Sequence, residues 1–274
     1  MIDIDLIKRA LAEDLQGGED VTSTSTIAAD SMSTADFTSR KDGVLAGIEM
    51  VSAVLNEVGL TDITIIKNDG DRIKAGDVLL TVHGNTRAIL LAERTALNFL
   101  GHLSGIASET AKWVDAVADT QCVVRDTRKT TPGYRQLEKY AVRMGGGTNH
   151  RMSLSDAALI KDNHIAAAGG VSQAFTAVRS TYPEAPIEIE VDTLDQLREV
   201  LPLSPDLVLL DNMSPQLCAE AVAIVNGATK LEASGGITLN NAKAYADSGV
   251  DFIAIGALTH SAAVLDIGLD LRAE

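Results

Sequence analysis

Residues 187–212 read IEIEVDTLDQLREVLPLSPDLVLLDN, and this stretch decides the fold. Two β-rich runs, IEIEVD (187–192) and LVLLDN (207–212), flank LDQLREVL, whose apolar residues fall at helical spacing. Strand, helix, strand in that order is the unit of a parallel α/β sheet. The unit recurs on both sides. Upstream lie CVVRDT (122–127) and AALIKD (157–162), and downstream KLEASG (230–235) and FIAIGA (252–257). Helix-length stretches such as VSQAFTAVRSTY, SPQLCAEAVAIV and TLNNAKAYADSG separate most of them. Six or seven such units favour a barrel, in which the C-terminal strand ends form the active face. Each run here ends in a polar group or a glycine: Arg128 and Lys129, Lys161, Glu190, Asp211, Ser234 with Gly235 and Gly236, and Gly256.

Between the first two runs lies a concentration of cations. Arg125 to Lys161 holds eight Lys or Arg against three acids, a local excess of +5 in a chain of net charge −15. A chain acidic overall gathers cations to receive an anion. Arg supplies paired donors to planar carboxylates, and Lys a point charge to phosphate oxygens. Arg128, Lys129, His150, Arg151 and Lys161, at strand ends or in the glycine-rich loop, form the candidate clamp. Arg135, Lys139 and Arg143 fall at helical spacing beside Glu138 and read as an exposed, solvated face. Glu188, Glu190 and Asp192 alternate with Ile187, Ile189 and Val191 and so share one face of a strand. Glu190 and Asp211 on neighbouring strands could hold ribose hydroxyls or a hydrated Mg²⁺, or favour positive charge on a sugar ring. The glycine turns at 235–236 and 256, on the last two strands, suit a phosphate.

Bulk composition excludes several classes. Hydrophobic residues make up 46% and aromatics 3%, so the core is aliphatic. The acidic balance argues against nucleic acid. No apolar run reaches the roughly 18 residues that span a membrane. Two cysteines without ligand spacing fit a reducing, cytoplasmic setting. The first hundred residues follow another plan, with short strands and turns around a helix, so an N-terminal domain is expected. LLAERTALNFLGHLSGIASETAKWVDAVAD reads as two helices broken near Gly101–Gly105, a natural interdomain linker.

AERTALNFLGHLSGIAS, DTRKTTPGYRQLEKYAVRMGGGTNHR, LIKDNH, LLDNM, LEASGGIT and IAIGALTHS, in this order, closely resemble the quinolinate phosphoribosyltransferases over nearly the whole chain. The resemblance implies an α/β fold: an N-terminal α/β sandwich over 1–107, an incomplete seven-stranded barrel over 108–265, and a tail (266–274) rejoining the first domain. It implies phosphoribosyl transfer from phosphoribosyl pyrophosphate to quinolinate, dependent on Mg²⁺, releasing pyrophosphate, CO₂ and nicotinate mononucleotide. By motif, Arg128, His150 and Arg151 would clamp the quinolinate carboxylates. Lys129 and Lys161 would lie near substrate and pyrophosphate, with Thr127 beside them, and Glu190 and Asp211 would hold ribose and Mg²⁺. Ser234, Gly235, Gly236 and Gly256 would cradle the 5′-phosphate. Arg94 would reach the site of a partner subunit in a homodimer or larger even assembly. A barrel aldolase or isomerase with a reactive lysine, and a non-catalytic anion-binding protein, are the readings from other classes. Borohydride trapping and CO₂ release separate them.

Overall fold

The computed structural model describes residues 2–273. The chain forms two compact units. One comprises the residues up to Glu109, Gln136–Gly146 and the chain from Ala262 onward; the other comprises Thr110–Arg135 and Gly147–Ser261.

The first unit opens with helices α1 (Ile4–Leu15) and α2 (Val21–Thr26). Asp3 and Asp20 cap them by accepting backbone N–H bonds. A four-stranded antiparallel sheet follows, built from β1 (Met32–Ser39), β3 (Asp62–Ile65), β5 (Val78–Asn85) and the last strand β12 (Ile267–Ala273), in the order β12-β1-β5-β3. Between them lie β2 (Gly43–Val44), α3 (Ile48–Glu57) and β4 (Arg72–Ile73), with β2 paired to β4. The long helix α4 (Thr86–Ala116) comes next. Phe37, Leu79, Leu80, Ile89, Leu100 and Leu103 are fully buried and make the core.

α4 corrects one expectation. It runs unbroken through Gly101 and Gly105, where a turn and linker were read. A Cβ at Gly105 would overlap Ala263 O, and one at Gly101 would stand 3.0 Å from Leu265 O. These glycines admit a crossing chain against the helix rather than ending it. The unit boundary then falls inside α4, at Glu109/Thr110, and most of α5 (Arg135–Met144) clusters with the first unit.

The second unit carries the parallel sheet. Its strands are β6 (Val123–Arg125), β7 (Ala158–Ile160), β8 (Ile187–Val191), β9 (Leu207–Asp211), β10 (Lys230–Ser234) and β11 (Phe252–Ala254). The helices between them are α6 (Asp162–Ala168), α7 (Val171–Thr181), α8 (Leu194–Val200), α9 (Pro215–Val225) and α10 (Leu239–Asp247), with α11 (Ala257–His260) last. The order β6-β11-β10-β9-β8-β7 puts the first strand beside the last, so neighbours follow chain order around the sheet. That is the winding of an α/β barrel. Among the described residues this sheet has six strands where seven were expected, and an isolated parallel bridge, Arg125 to Thr148, extends its β6 edge.

Register sorts the sheet into two faces. The pairings Ile189–Val208, Leu210–Ala233, Ala233–Ile253 and Ile253–Val124 align an aliphatic face. Its members Val124, Ile187, Ile189, Val191, Val208, Leu210, Leu231, Ala233 and Ile253 are all buried. Helices cover it with residues such as Phe175, Leu197, Val200, Ala221 and Tyr245. Glu190–Leu209, Leu209–Glu232, Ser234–Asp211 and Ala254–Arg125 align the other face, which is charged.

Candidate active site

β6 delivers the chain to the cation loop, and buried hydrogen bonds fix that loop. The carboxylate of Asp126, fully buried, accepts from His150 N at 2.9 Å and Asn149 Nδ2 at 2.5 Å. Thr127 Oγ1 accepts from Lys129 N at 3.0 Å, and Thr259 Oγ1 donates to Lys129 O at 2.7 Å. Arg135 donates through Nε to Thr130 Oγ1 (3.0 Å) and through Nη2 to Arg128 O (3.3 Å). Arg151 Nη1 donates to Ala157 O, 2.7 Å away at the entry to β7. Burial, then the nearby Arg128, lowers the Arg151 guanidinium from its ordinary value. Two guanidinium groups close enough to oppose each other's charge suit a dianion. Among the described residues, Arg128 Nε is buried without a hydrogen-bond acceptor. Such an orphan costs about 1–3 kcal/mol unless a ligand satisfies it.

Acids stand beside these cations on the charged face. Lys161 Nζ lies 3.0 Å from Glu190 Oε2. The Asp211 carboxyl is held above its ordinary range by burial, then by Glu190 and Asp192, with Lys161 opposing. Glu190 and Asp192 near Asp211, against the one lysine Lys161, leave a local negative excess, which fits an oxygen-loving divalent cation such as Mg²⁺. Asn212, at φ 52°, turns back to donate to Asp211 Oδ2 at 2.6 Å. Its side chain occupies the place of a Cβ at Gly235, and Gly235 and Gly236 both have positive φ (86° and 65°). Only glycine fits that turn without strain. At Gly256 a Cβ would stand 3.0 Å from Lys129 Cδ, so the lysine stem crosses bare backbone there.

Beneath this rim the same face is charged and buried. Arg125 Nη1 donates to Glu232 Oε2 at 2.8 Å and its guanidinium lies 4.4 Å over the Phe252 ring. His150 Nε2 is 2.7 Å from Glu188 Oε2 and 3.5 Å from Glu232 Oε1. His150 Nδ1 accepts the Arg151 N–H at 2.7 Å. An accepting Nδ1 carries no proton, so the ring is the Nε2–H tautomer and donates to Glu188. Burial, then Glu188, pushes Glu232 up to about 7.

The quinolinate phosphoribosyl transferase profiles match this chain in both parts, the N-terminal domain over residues 20–104 and the C-terminal domain over 106–270. The chain belongs to that family. It is 50% identical over 273 residues to the nicotinate-nucleotide pyrophosphorylase [carboxylating] of Mycobacterium leprae, covering 97% of this chain and 96% of that one. The crystal structure of NadC from Streptococcus pyogenes matches with a TM-score of 0.95 at 39% identity, covering 98% of this chain and 96% of the other. The nicotinate-nucleotide pyrophosphorylase of Ehrlichia chaffeensis matches with a TM-score of 0.94 at 40% identity, covering 98% of both chains.

For a member of this family, the site residues read from the sequence distribute unevenly. Thr127, Arg128, Lys129, His150, Arg151, Lys161, Glu190, Asp211, Ser234, Gly235, Gly236 and Gly256 all lie in the second unit, at or just beyond the C-terminal strand ends. Arg94 is exposed on α4, in the first unit. Both His150 ring nitrogens hold protein partners, Glu188 at Nε2 and the Arg151 N–H at Nδ1. One expectation changes. Lys139 is fully buried, together with Glu138, rather than lying on a solvated face. His164 accepts the Lys161 N–H and caps α6, a structural task. Sequence reading missed Arg125, Asp126, Glu232 and Asn212. Asp126 and Asn212 sit inside the quoted runs, where Asp126 counts only as a charge and Asn212 carries no role. Glu232 had a period-2 signal, two residues before Ser234, that places it on the active face.

Proposed function

We propose that this protein transfers the phosphoribosyl group of phosphoribosyl pyrophosphate to quinolinate with decarboxylation, giving nicotinate mononucleotide, pyrophosphate and CO₂ in NAD biosynthesis. One observation carries the reading beyond family membership. Arg151 lies close to Arg128 and to Glu188, and two residues further along the same face of β8 Glu190 meets Lys161 and Asp211, which supports an anion clamp followed by a cation-favouring pair.

In this reading Arg128 and Arg151, helped by Arg94 of a neighbouring subunit, hold the two carboxylates and turn the pyridine nitrogen toward the anomeric carbon. Glu190 and Asp211 hold the ribose hydroxyls and favour the positive charge that develops on the sugar as the C–O bond to pyrophosphate breaks. Lys129, beside Thr127, and Lys161 neutralise the departing pyrophosphate. Ser234 and the glycines 235, 236 and 256 take the 5′-phosphate where no side chain intrudes. Mg²⁺, held by Glu190 and Asp211 directly or through water, would supply charge neutralisation of the pyrophosphate. N-ribosylation makes the ring a pyridinium. It accepts the electron pair left when the 2-carboxylate departs as CO₂, and a proton then adds at C2. The protein's contribution there is to hold the ring away from competing conformations. A homodimer or larger even assembly in the cytoplasm completes the proposal.

The test is direct. The purified protein is incubated with quinolinate labelled at the 2-carboxylate, phosphoribosyl pyrophosphate and Mg²⁺. Labelled CO₂ and nicotinate mononucleotide should appear in equal amounts. Nicotinate in place of quinolinate should give no mononucleotide, since half the clamp is unused. Turnover of nicotinate at the same rate would refute the two-carboxylate clamp.

A further inference from the structure

The buried trio under the rim has a task that the reaction itself does not assign. His150, Glu188 and Glu232 are each more than nine-tenths buried, at 8%, 6% and 0% exposure, and come from three separate segments. Their ligating atoms lie within 4.8 Å of one another. Glu188 and Glu232 lie within β8 and β10, below the rim, and the connection from Glu188 leads up to it through His150. Glu188 Oε2 takes the His150 Nε2–H at 2.7 Å, His150 Nδ1 takes the Arg151 N–H at 2.7 Å, and Arg151 Nη1 reaches Ala157 O at 2.7 Å. Asp126 pins the same segment from the other side through His150 N at 2.9 Å. We propose that Glu188 is a positioning residue: by fixing the tautomer of His150 it fixes the backbone of Arg151, and so aims that guanidinium at a substrate carboxylate.

The chemistry is specific to the tautomer. An imidazole deprived of its Nε2 acceptor can move its proton to Nδ1. There it would face the Arg151 N–H donor to donor, and the clamp loop would have to shift. Outer contacts of this kind are worth about 10–100-fold in binding at the metal sites where they have been measured. A 1 Å displacement of a substrate-holding group can cost as much in turnover. Glu232 supports the arrangement. Glu188 Oε1 and Glu232 Oε1 are both buried without a hydrogen-bond partner among the described residues. A proton on Glu232 lets one of these oxygens donate, relieving the repulsion between the two carboxylates while Arg125 holds the other Glu232 oxygen at 2.8 Å. A metal ion in the trio would require the His150 Nε2 proton to leave, and would stand next to the positive Arg125.

This inference rests on the proposed role of Arg151 in the quinolinate clamp, and the experiment separates the two. Three enzymes are compared with the wild type: Glu188→Ala, Glu188→Gln and His150→Asn. Glu188→Ala is expected to raise KM for quinolinate about 10–100-fold, leaving KM for phosphoribosyl pyrophosphate within about threefold. Glu188→Gln, whose amide oxygen can still accept from Nε2, should return quinolinate KM to within about threefold of wild type. His150→Asn keeps an acceptor near the Nδ1 position and should fall between them. In parallel, ¹⁵N spectra of histidine-labelled wild-type enzyme should give His150, assigned by its loss in His150→Asn, a protonated Nε2 and a bare Nδ1. That readout stands whether or not quinolinate is the substrate, and whether or not Glu188→Ala folds. A protonated Nδ1, an equal rise of both KM values, or one tightly bound metal ion per chain in the trio would overturn the proposal.

Discussion

Replacing Glu232 by Gln should flatten the pH dependence of stability. The folded-state carboxyl sits at about 7 against a reference of 4.5, raised by burial first and then by Glu188. A carboxyl raised on folding is protonated more readily in the native state. Its stabilising contribution is therefore complete below the unfolded value and is lost as pH climbs through the folded one. The window is about pH 4.5 to 7, with a limiting slope of about 1.4 kcal/mol per pH unit. Over that window the wild type should lose on the order of 2–3 kcal/mol from this group alone, the opposing effect of Arg125 at 2.8 Å being already contained in the value of about 7. At roughly 2–4 °C per kcal/mol for a domain of this size, the midpoint difference between Glu232→Gln and wild type should move by about 5–10 °C between pH 5 and pH 8. The variant should lose less as pH rises. Its amide can accept from Arg125 and donate toward Glu188, so it mimics the protonated acid. Thermal melts of both proteins across that range, read as a difference, cancel every other titrating group. Parallel curves would show that Glu232 titrates normally and that the trio is not closely coupled.

Two further substitutions test other parts of the structure. Lys161→Met should lower kcat/KM for the phosphoribosyl transfer by about 10²–10⁴-fold. It should change stability by less than about 1 kcal/mol, because the lysine side chain is 48% exposed and its pair with Glu190 is rim-like; steady-state kinetics beside a urea melt decides it. Gly105→Ala should destabilise by about 1–3 kcal/mol despite alanine's better helix propensity, since its methyl would meet Ala263 O. A rise in midpoint instead would mean that the chain after Ser261 does not press on α4.

Much of the second unit was legible because parallel strands buried on both faces leave long β-rich runs, and their helices keep a 3.6-residue stripe. Observed strands such as Ile187–Val191 and Leu207–Asp211 lie within a residue or so of the runs read from sequence. The rim was legible for a related reason: Lys161, Glu190 and Asp211 end apolar runs, and nothing local explains a charge there. What failed depended on partners distant in sequence. Gly101 and Gly105 look like helix breakers until Ala263 and Leu265 are brought against them. Lys139 looks like a surface cation because α5 alternates charges, and only the fold reveals that it is enclosed. The partners of His150, Glu188 on β8 and the adjacent Arg151 N–H, likewise required the register of three segments.

The charged face is costly for a parallel sheet, whose strands are ordinarily aliphatic on both sides. Its cost is contained by pairing across strands rather than along them. Arg125 on β6 meets Glu232 on β10, His150 after the Thr148 bridge meets Glu188 on β8, and Lys161 beyond β7 meets Glu190 on β8. Each pair therefore locks the order of the strands; the Arg125 and Lys161 pairs also neutralise a buried carboxylate, while His150 gives Glu188 a hydrogen bond. A hydrophobic replacement of one member would strand the other at a cost of about 3–5 kcal/mol where the pair is buried. Toward the C-terminal edge the compensation thins. Arg128 keeps a buried Nε without an acceptor, and Asp211 is crowded by Glu190 and Asp192. Paired charge at depth builds the fold; charge left incompletely matched at the rim is the part of the same face that a dianionic ring and a pyrophosphorylated sugar can satisfy.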